Sequence, residues 1–263
     1  MILPIGDQPN PPGVPVVTRW LIGLNVAVFV FVTLPLSGRP PDAADPLLPE
    51  YLRMLGELLP GAGPRELLAR ISAYDLVTFR WGFRPAEPGV GSLFASLFLH
   101  GGFMHLAGNM LFLWIYGDNV ELRLGRVRYL VAYLATGVAA TLFHAAFDPD
   151  STRPLVGASG AISGVLGFYF LWFPRNQVRL LIAFFPFLMD VILVPARLVL
   201  GMYLVLDNIL PFVLSRGGGG VAHGAHIGGF VAGLGAAALL VRFGLVSRGP
   251  VAAGPRPAGV PAR

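Results

Sequence analysis

Residues 157–164 read "GASGAISG", Gly157 to Gly164, and two readings of them compete. A serine between glycines is the setting of a nucleophile. Small residues at every fourth position, here Gly160 and Gly164, are also what lets membrane helices approach closely. The apolar run that continues from this stretch, about 159–174, is short for a bilayer crossing, which takes about 17–25 residues. Its glycines therefore mark a central helix enclosed by other helices rather than one facing lipid.

The rest of the chain supplies helices to enclose it. Hydrophobic residues make up 55% of the sequence and charged residues 13%, with a mean hydropathy of +0.69. Soluble domains carry roughly a quarter charged residues. Six apolar segments can be counted, at roughly 19–37, 94–116, 128–147, 159–174, 195–214 and 222–243. This predicts an all-α polytopic membrane protein built as a six-transmembrane-helix bundle. The apolar stretch 176–194 contains Pro186 and Asp190 and runs into Pro195; it reads as an interfacial or re-entrant piece.

Three units follow. Residues 1–18 are a cytoplasmic N-terminal segment. It is rich in proline and lacks a basic region before an apolar run, so it is not read as a cleavable signal peptide. Residues 19–243 form the membrane domain, with a long outer loop at about 38–92 that carries Pro40, Pro41, Pro46 and Pro49 and an amphipathic helix near Arg65–Val77. Residues 244–263 are rich in Pro, Gly and Ala and are expected to be disordered.

Every basic residue other than histidine is arginine, and there is no cysteine, which excludes disulfides and thiolate chemistry. The arginines are scattered, which argues against a nucleic-acid interface. With the amino terminus in the cytoplasm, the inner segments carry 10 arginines against three acids, while the outer segments carry eight against nine. That bias predicts both termini inside. Spans two, four and six then run from outside to inside. Ser159, His226, and the group His100, His105 and Asn109 all fall in the outer part of the membrane, on three helices. Polar groups there are costly and usually functional.

A serine hydroxyl attacks well only when a base takes its proton, and histidine is the usual base. Ser159 is the candidate nucleophile and His226 the candidate base and subsequent acid. The oxyanion that forms needs preorganised donors. His105 and Asn109 share one helical face and, with His100 and the Ser159 backbone N–H, are candidate donors. Ala225, Gly229 and Gly233 repeat the spacing of Gly160 and Gly164, so close packing of spans four and six would bring Ser159 toward His226.

Taken in order, "HGGFMHLAGNM" (100–110), "GDNVELRLG" (117–125), "GASG" (157–160) and "AHIGGFVAG" (225–233) resemble the motifs of rhomboid-family intramembrane serine proteases. The resemblance runs from about Val16 to Leu240. It implies a six-helix bundle, a Ser159–His226 dyad without an acidic third member, and no metal or other cofactor. It assigns His105 and Asn109 to the oxyanion site, with His100 and Gly157 supporting it. It implies cleavage of membrane-spanning substrates near the outer face, and residence in a bacterial inner membrane. Two positions depart from the pattern. Gly91 and Ser92 stand where many relatives carry a Trp-Arg pair, with Trp81 a potential substitute. Ser163 stands where some relatives carry a tyrosine stacked on the catalytic histidine, so the histidine is either held less rigidly or braced by another aromatic such as Tyr169 or Phe168.

Other polar residues are read more plainly. Ser163 is a packing residue, His144 and His223 are interfacial, and Glu121 and Arg123 order the inner loop. Asp207 is a buried polar or water-contacting group in span five rather than a third catalytic member. Two other functions use the same residues: an inactive rhomboid-like protein that binds membrane clients, and an intramembrane metalloenzyme using the histidines. The retained serine and histidine argue against the first. The lack of carboxylates or an H-E-x-x-H pattern beside the histidines argues against the second.

Overall fold

The computed structural model describes residues 2–184, 188–214 and 222–246. The short helix predicted from the glycine-rich stretch is α8, and it sits at the centre. Naming elements in chain order, β1 is Ile2–Gln8, α1 is Val16–Ser37, α2 is Leu48–Leu58, α3 is Pro64–Ala69, α4 is Ala73–Trp81 and α5 is Val90–Ala95. Then follow α6 at Phe103–Leu124, α7 at Arg126–Ala145 and α8 at Ser159–Trp172. The chain continues through β2 at Gln177–Phe184, β3 at Leu188–Pro195, α9 at Ala196–Leu214 and α10 at His223–Arg242.

By length and composition α1, α7, α9 and α10 can each cross a membrane, and α5 through Phe98 with α6, bent by 88°, makes a fifth. Helix α8, with 14 residues, is shorter, and nearly all of it from Gly160 to Tyr169 is buried. Its glycines explain the burial. A side chain at Gly229 would run into the Gly160 carbonyl, and one at Gly233 into the Gly164 carbonyl. A Cβ at Gly160 would lie 2.7 Å from the Ala140 methyl. Backbones of α8 and α10 therefore touch directly, as the small-residue spacing predicted. Around this contact Leu113, Tyr116, Val120, Tyr129, Tyr133, Leu166 and Phe230 form the main core.

The all-α expectation needs a correction. Segment 176–194, read as an interfacial or re-entrant piece, is built of strands: β2 and β3 form an antiparallel pair, and the N-terminal segment adds β1 to give the sheet order β1-β2-β3. Ile2 pairs with Ile182 and Gln8 with Gln177, with an irregularity between Pro4 and Gly6. An apolar run without polar alternation cannot be told from a buried helix by periodicity, and Pro4 and Gly6 obscure the edge strand.

The outer loop is more ordered than a polar connector. Leu48, Tyr51, Met54, Ile71, Leu76 and Phe79 form a second small core among α2–α4. The helix predicted near 65–77 is two helices, because Ser72 starts a new one: its backbone N–H donates to Asp75 Oδ2 at 2.7 Å in a reciprocal capping box. Trp81 lies beside Gly91, where a Cβ would be 3.8 Å from the indole.

The end of the bundle that carries the sheet is tied by polar side chains. Glu121 accepts from the Val17 and Thr18 N–H groups at 2.9 and 2.7 Å and from the Thr18 hydroxyl at 2.8 Å. A carboxylate thus satisfies the free donors that open α1. Arg123 donates to the Trp172 carbonyl at 2.9 Å and lies over the Trp172 ring. Asp7 accepts from Asn119 at 2.9 Å, from Tyr169, and from Asn176 at 3.4 Å. Burial, which outweighs these hydrogen bonds, raises the Asp7 carboxyl above its ordinary range. At the other chain end Val246 is buried; the rest of the predicted tail, 247–263, lies outside the described residues.

Candidate active site

At the end of the bundle away from the sheet, a cavity of about 680 Å³ opens between α6, α8, α9 and α10. Ser159, His226, His105, Asn109, Gly157 and Tyr203 all line it. The structure thus brings five of the six sequence-predicted site residues onto one wall-lined space. No carboxylate among the described residues lines it. Among the described residues, no group of three His, Cys, Asp or Glu side chains converges in a way that could hold a metal ion.

Ser159 is the first residue of α8. The opening N–H groups of a helix have no partner within it, so hydroxyl and free amides arise at the same point. The approach to Ser159 depends on Gly157, whose φ is +126°. That is a conformation L residues rarely adopt, and a Cβ there would also lie 2.7 Å from His105 Nε2. The Gly157 N–H is anchored to the Ser96 carbonyl at 2.8 Å. Among the described residues no hydrogen bond joins Ser159 to His226; catalytic hydrogen bonds in unliganded sites are often long.

His100 is placed differently from the other five. It is 1% exposed and stands behind the cavity wall. Its Nε2 lies 3.0 Å from Asn109 Nδ2. An amide nitrogen only donates, so Nε2 accepts and Asn109 keeps a second N–H. The His100 backbone is in turn bracketed by Tyr74, whose hydroxyl donates to the His100 carbonyl at 2.9 Å and accepts from its N–H at 3.1 Å. The outer loop therefore reaches the site through α4, Tyr74 and His100. The His105 ring packs edge-on to His100 at 5.1 Å.

His226 has two neighbours that the sequence reading missed. Its Nδ1 lies 2.6 Å from Asn208 Oδ1, and its ring faces that of Tyr203 at 6.3 Å with 30° between planes. Tyr203 and Ser163 share a hydroxyl–hydroxyl hydrogen bond of 2.9 Å. Ser163 is thus buried as expected, and the aromatic beside His226 comes from α9. Tyr169 and Phe168 do not fill that place: Tyr169 donates to Asp7 at the opposite end, and Phe168 packs on Trp172. Asp207, expected to be buried or in contact with water, is exposed, while its neighbour Asn208 is 1% exposed. The cause is a π-turn at Val205–Ile209, which rotates the following face. Two adjacent polar residues in an apolar run were the available signal. His223 begins α10 with its ring 6.5 Å from His226, and His144 lies against Gly224; neither lines the cavity.

Comparison with known proteins follows the same residues. The family model of the Rhomboid domain matches residues 88–243, more than half of the chain, though it starts later than the resemblance from Val16. Rhomboid protein 1, mitochondrial, of Saccharomyces cerevisiae is 35% identical over 96 residues, covering 35% of this chain and 28% of its own length. Rhomboid protease GluP of Bacillus subtilis is 44% identical over 75 residues, 28% of this chain and 14% of its own. RHOMBOID-like protein 4 of Arabidopsis thaliana is 33% identical over 147 residues, 54% of this chain and 32% of its own. The chain thus matches about a third or less of the length of each of these relatives.

Proposed function

The chain belongs to the rhomboid family, and we propose that it is an intramembrane serine endopeptidase that hydrolyses peptide bonds in or near the transmembrane segments of other membrane proteins. The observation that carries the reading is the cavity. Ser159 and His226, far apart in sequence, line one carboxylate-free space together with Asn109 and His105.

In this mechanism His226 removes the proton from the Ser159 hydroxyl as Oγ attacks the substrate carbonyl carbon. The carbonyl oxygen becomes an oxyanion that accepts from the Ser159 N–H, the free Asn109 N–H and His105. Collapse breaks the C–N bond, and the imidazolium of His226 delivers its proton to the departing amine. An acyl-enzyme remains. Water then attacks it, giving its proton to His226, and the second collapse returns that proton to Ser159 as the carboxylic acid leaves. His100 acts behind Asn109 and holds its amide. No step calls on a metal or cofactor.

The topology proposed is six crossings with both termini in the cytoplasm. Antiparallel pairing of β1 with β2 supports it, since this puts the amino terminus at the same end as the α8–α9 connection. The arginine bias supports which end faces inward. The membrane is proposed to be the bacterial inner membrane, on the resemblance to the Bacillus relative; a yeast mitochondrial relative makes fractionation of the native host the deciding measurement.

Cleavage of a single-span membrane protein by the purified chain in proteoliposomes tests the proposal. The intact chain is expected to cut, Ser159→Ala and His226→Ala to be inert while folded, and a chelator to have no effect. Substrate binding without cleavage by the intact chain would overturn it and place the chain with client-binding rhomboid proteins. Loss of cleavage on chelation would overturn it in favour of metal chemistry.

A further inference from the structure

We propose that Asn208 is the positioning residue that fixes the tautomer and aim of His226, an assignment that rests on the proposed role of His226 as base. Asn208 Oδ1 lies 2.6 Å from His226 Nδ1, and the side chain is almost wholly buried on α9. An asparagine can present either end of its amide to a ring nitrogen. Here the choice is made: Asn208 Nδ2 donates to the Tyr203 carbonyl at 2.8 Å. The oxygen therefore faces the ring. An amide oxygen only accepts, so the proton of the neutral imidazole sits on Nδ1.

The consequence is chemical. With Nδ1 protonated, Nε2 carries the lone pair, the atom left to take the Ser159 proton. When His226 becomes an imidazolium, its bond to Asn208 becomes charge-assisted and roughly twice as strong. Asn208 thus orients the base and stabilises its charged form without any carboxylate in the cavity. Cys–His–Asn sites of papain-like proteases use an asparagine in this way on an unrelated fold. The neighbouring groups do not compete for Nδ1. Tyr203 shares its hydroxyl with Ser163, and its ring stands 6.3 Å from the imidazole, tilted by 30°. His223 stands 6.5 Å away, ring to ring. The π-turn is what makes this possible, since it carries Asn208 inward and leaves Asp207 outward.

Two measurements decide the matter. Steady-state cleavage is compared for the intact chain, Asn208→Leu and Asn208→Asp. Asn208→Leu removes the acceptor and is expected to lower kcat about 10²-fold, the cost of a misplaced catalytic group, with KM unchanged. Asn208→Asp keeps an oxygen in place and is expected to recover most of the rate. An unaltered kcat in Asn208→Leu, or an Asp variant as slow as the Leu variant, overturns the proposal. The second measurement needs neither variant to fold nor the chain to be active. Nitrogen-15 NMR of histidine-labelled intact protein, with the His226 signals assigned from His226→Gln, reads the tautomer directly. Protonation at Nδ1 is expected, and protonation at Nε2 contradicts the assignment. Should the intact chain fail to cleave while His226 is protonated at Nδ1, the protease reading falls and the placement of Asn208 stands.

Discussion

The two ends of the bundle handle polarity in opposite ways. At the sheet end, Asp7, Glu121 and Arg123 are each committed to several partners, and strands, α1, α6 and α8 are drawn together by them. At the cavity end, among the described residues, there is no carboxylate in the lining, and the hydroxyl of Ser159 and one N–H of Asn109 have no protein partner. Both groups line the open cavity, where a ligand can reach and pair them. The sheet end spends its polar groups on tying elements together; the cavity end leaves polar groups facing open space.

That contrast can be broken from either side. Its largest test is Asn109→Ala, which removes one of the proposed oxyanion donors. Turnover is expected to fall about 10²–10³-fold with little change in melting temperature, as read by cleavage kinetics beside a thermal scan. A neutral result would remove Asn109 from the site, and a variant that unfolds would make the cavity end structural after all. Next comes Glu121→Leu, which strands the Val17 and Thr18 donors. A loss of about 1–3 kcal/mol is expected for a buried group left unsatisfied, with kcat of the folded fraction unchanged. If instead stability held and kcat collapsed, the division of labour between the ends would be wrong.

The smallest effect concerns pH. Asp7 has its carboxyl raised by burial, so the folded state favours the protonated form. Its contribution to stability is full below the ordinary carboxylate pKa and is lost as pH rises through the raised value. Melting temperatures measured between about pH 4 and 7 should therefore fall more with rising pH in the intact chain than in Asp7→Asn. Equal slopes would show that Asp7 is not held above its ordinary range.

The sequence announced the two ends unequally. Apolar runs located α1, α7, α9 and α10, and the glycine spacing of 160, 164, 229 and 233 foretold the α8–α10 contact, because close packing leaves a periodic mark. Ser159, His226, His105, Asn109 and Gly157 were legible through local motifs. His100 was legible as a member of the cluster, but its position behind Asn109 was not. The sheet was hidden, since β2 and β3 read as one apolar run and β1 carries Pro4 and Gly6. Asn208 and Tyr203 were hidden for another reason. Their faces are set by the π-turn, which shifts helical phase and turned the expected Asp207 outward. Tyr169 was misplaced because it lies almost three helical turns from Ser159, toward the opposite end of α8; its hydroxyl went to Asp7.

The central claim is that Ser159 is a nucleophile activated within this cavity. Labelling by a fluorophosphonate probe, which forms a covalent bond with an activated serine, tests it without a known substrate. The purified intact chain is treated in lipid, digested, and the modified residue located by mass spectrometry. The account predicts a phosphonylated Ser159, absent in Ser159→Ala and strongly slowed in His226→Ala. An unlabelled chain that still binds membrane clients, or a label on Ser163 in place of Ser159, would contradict it.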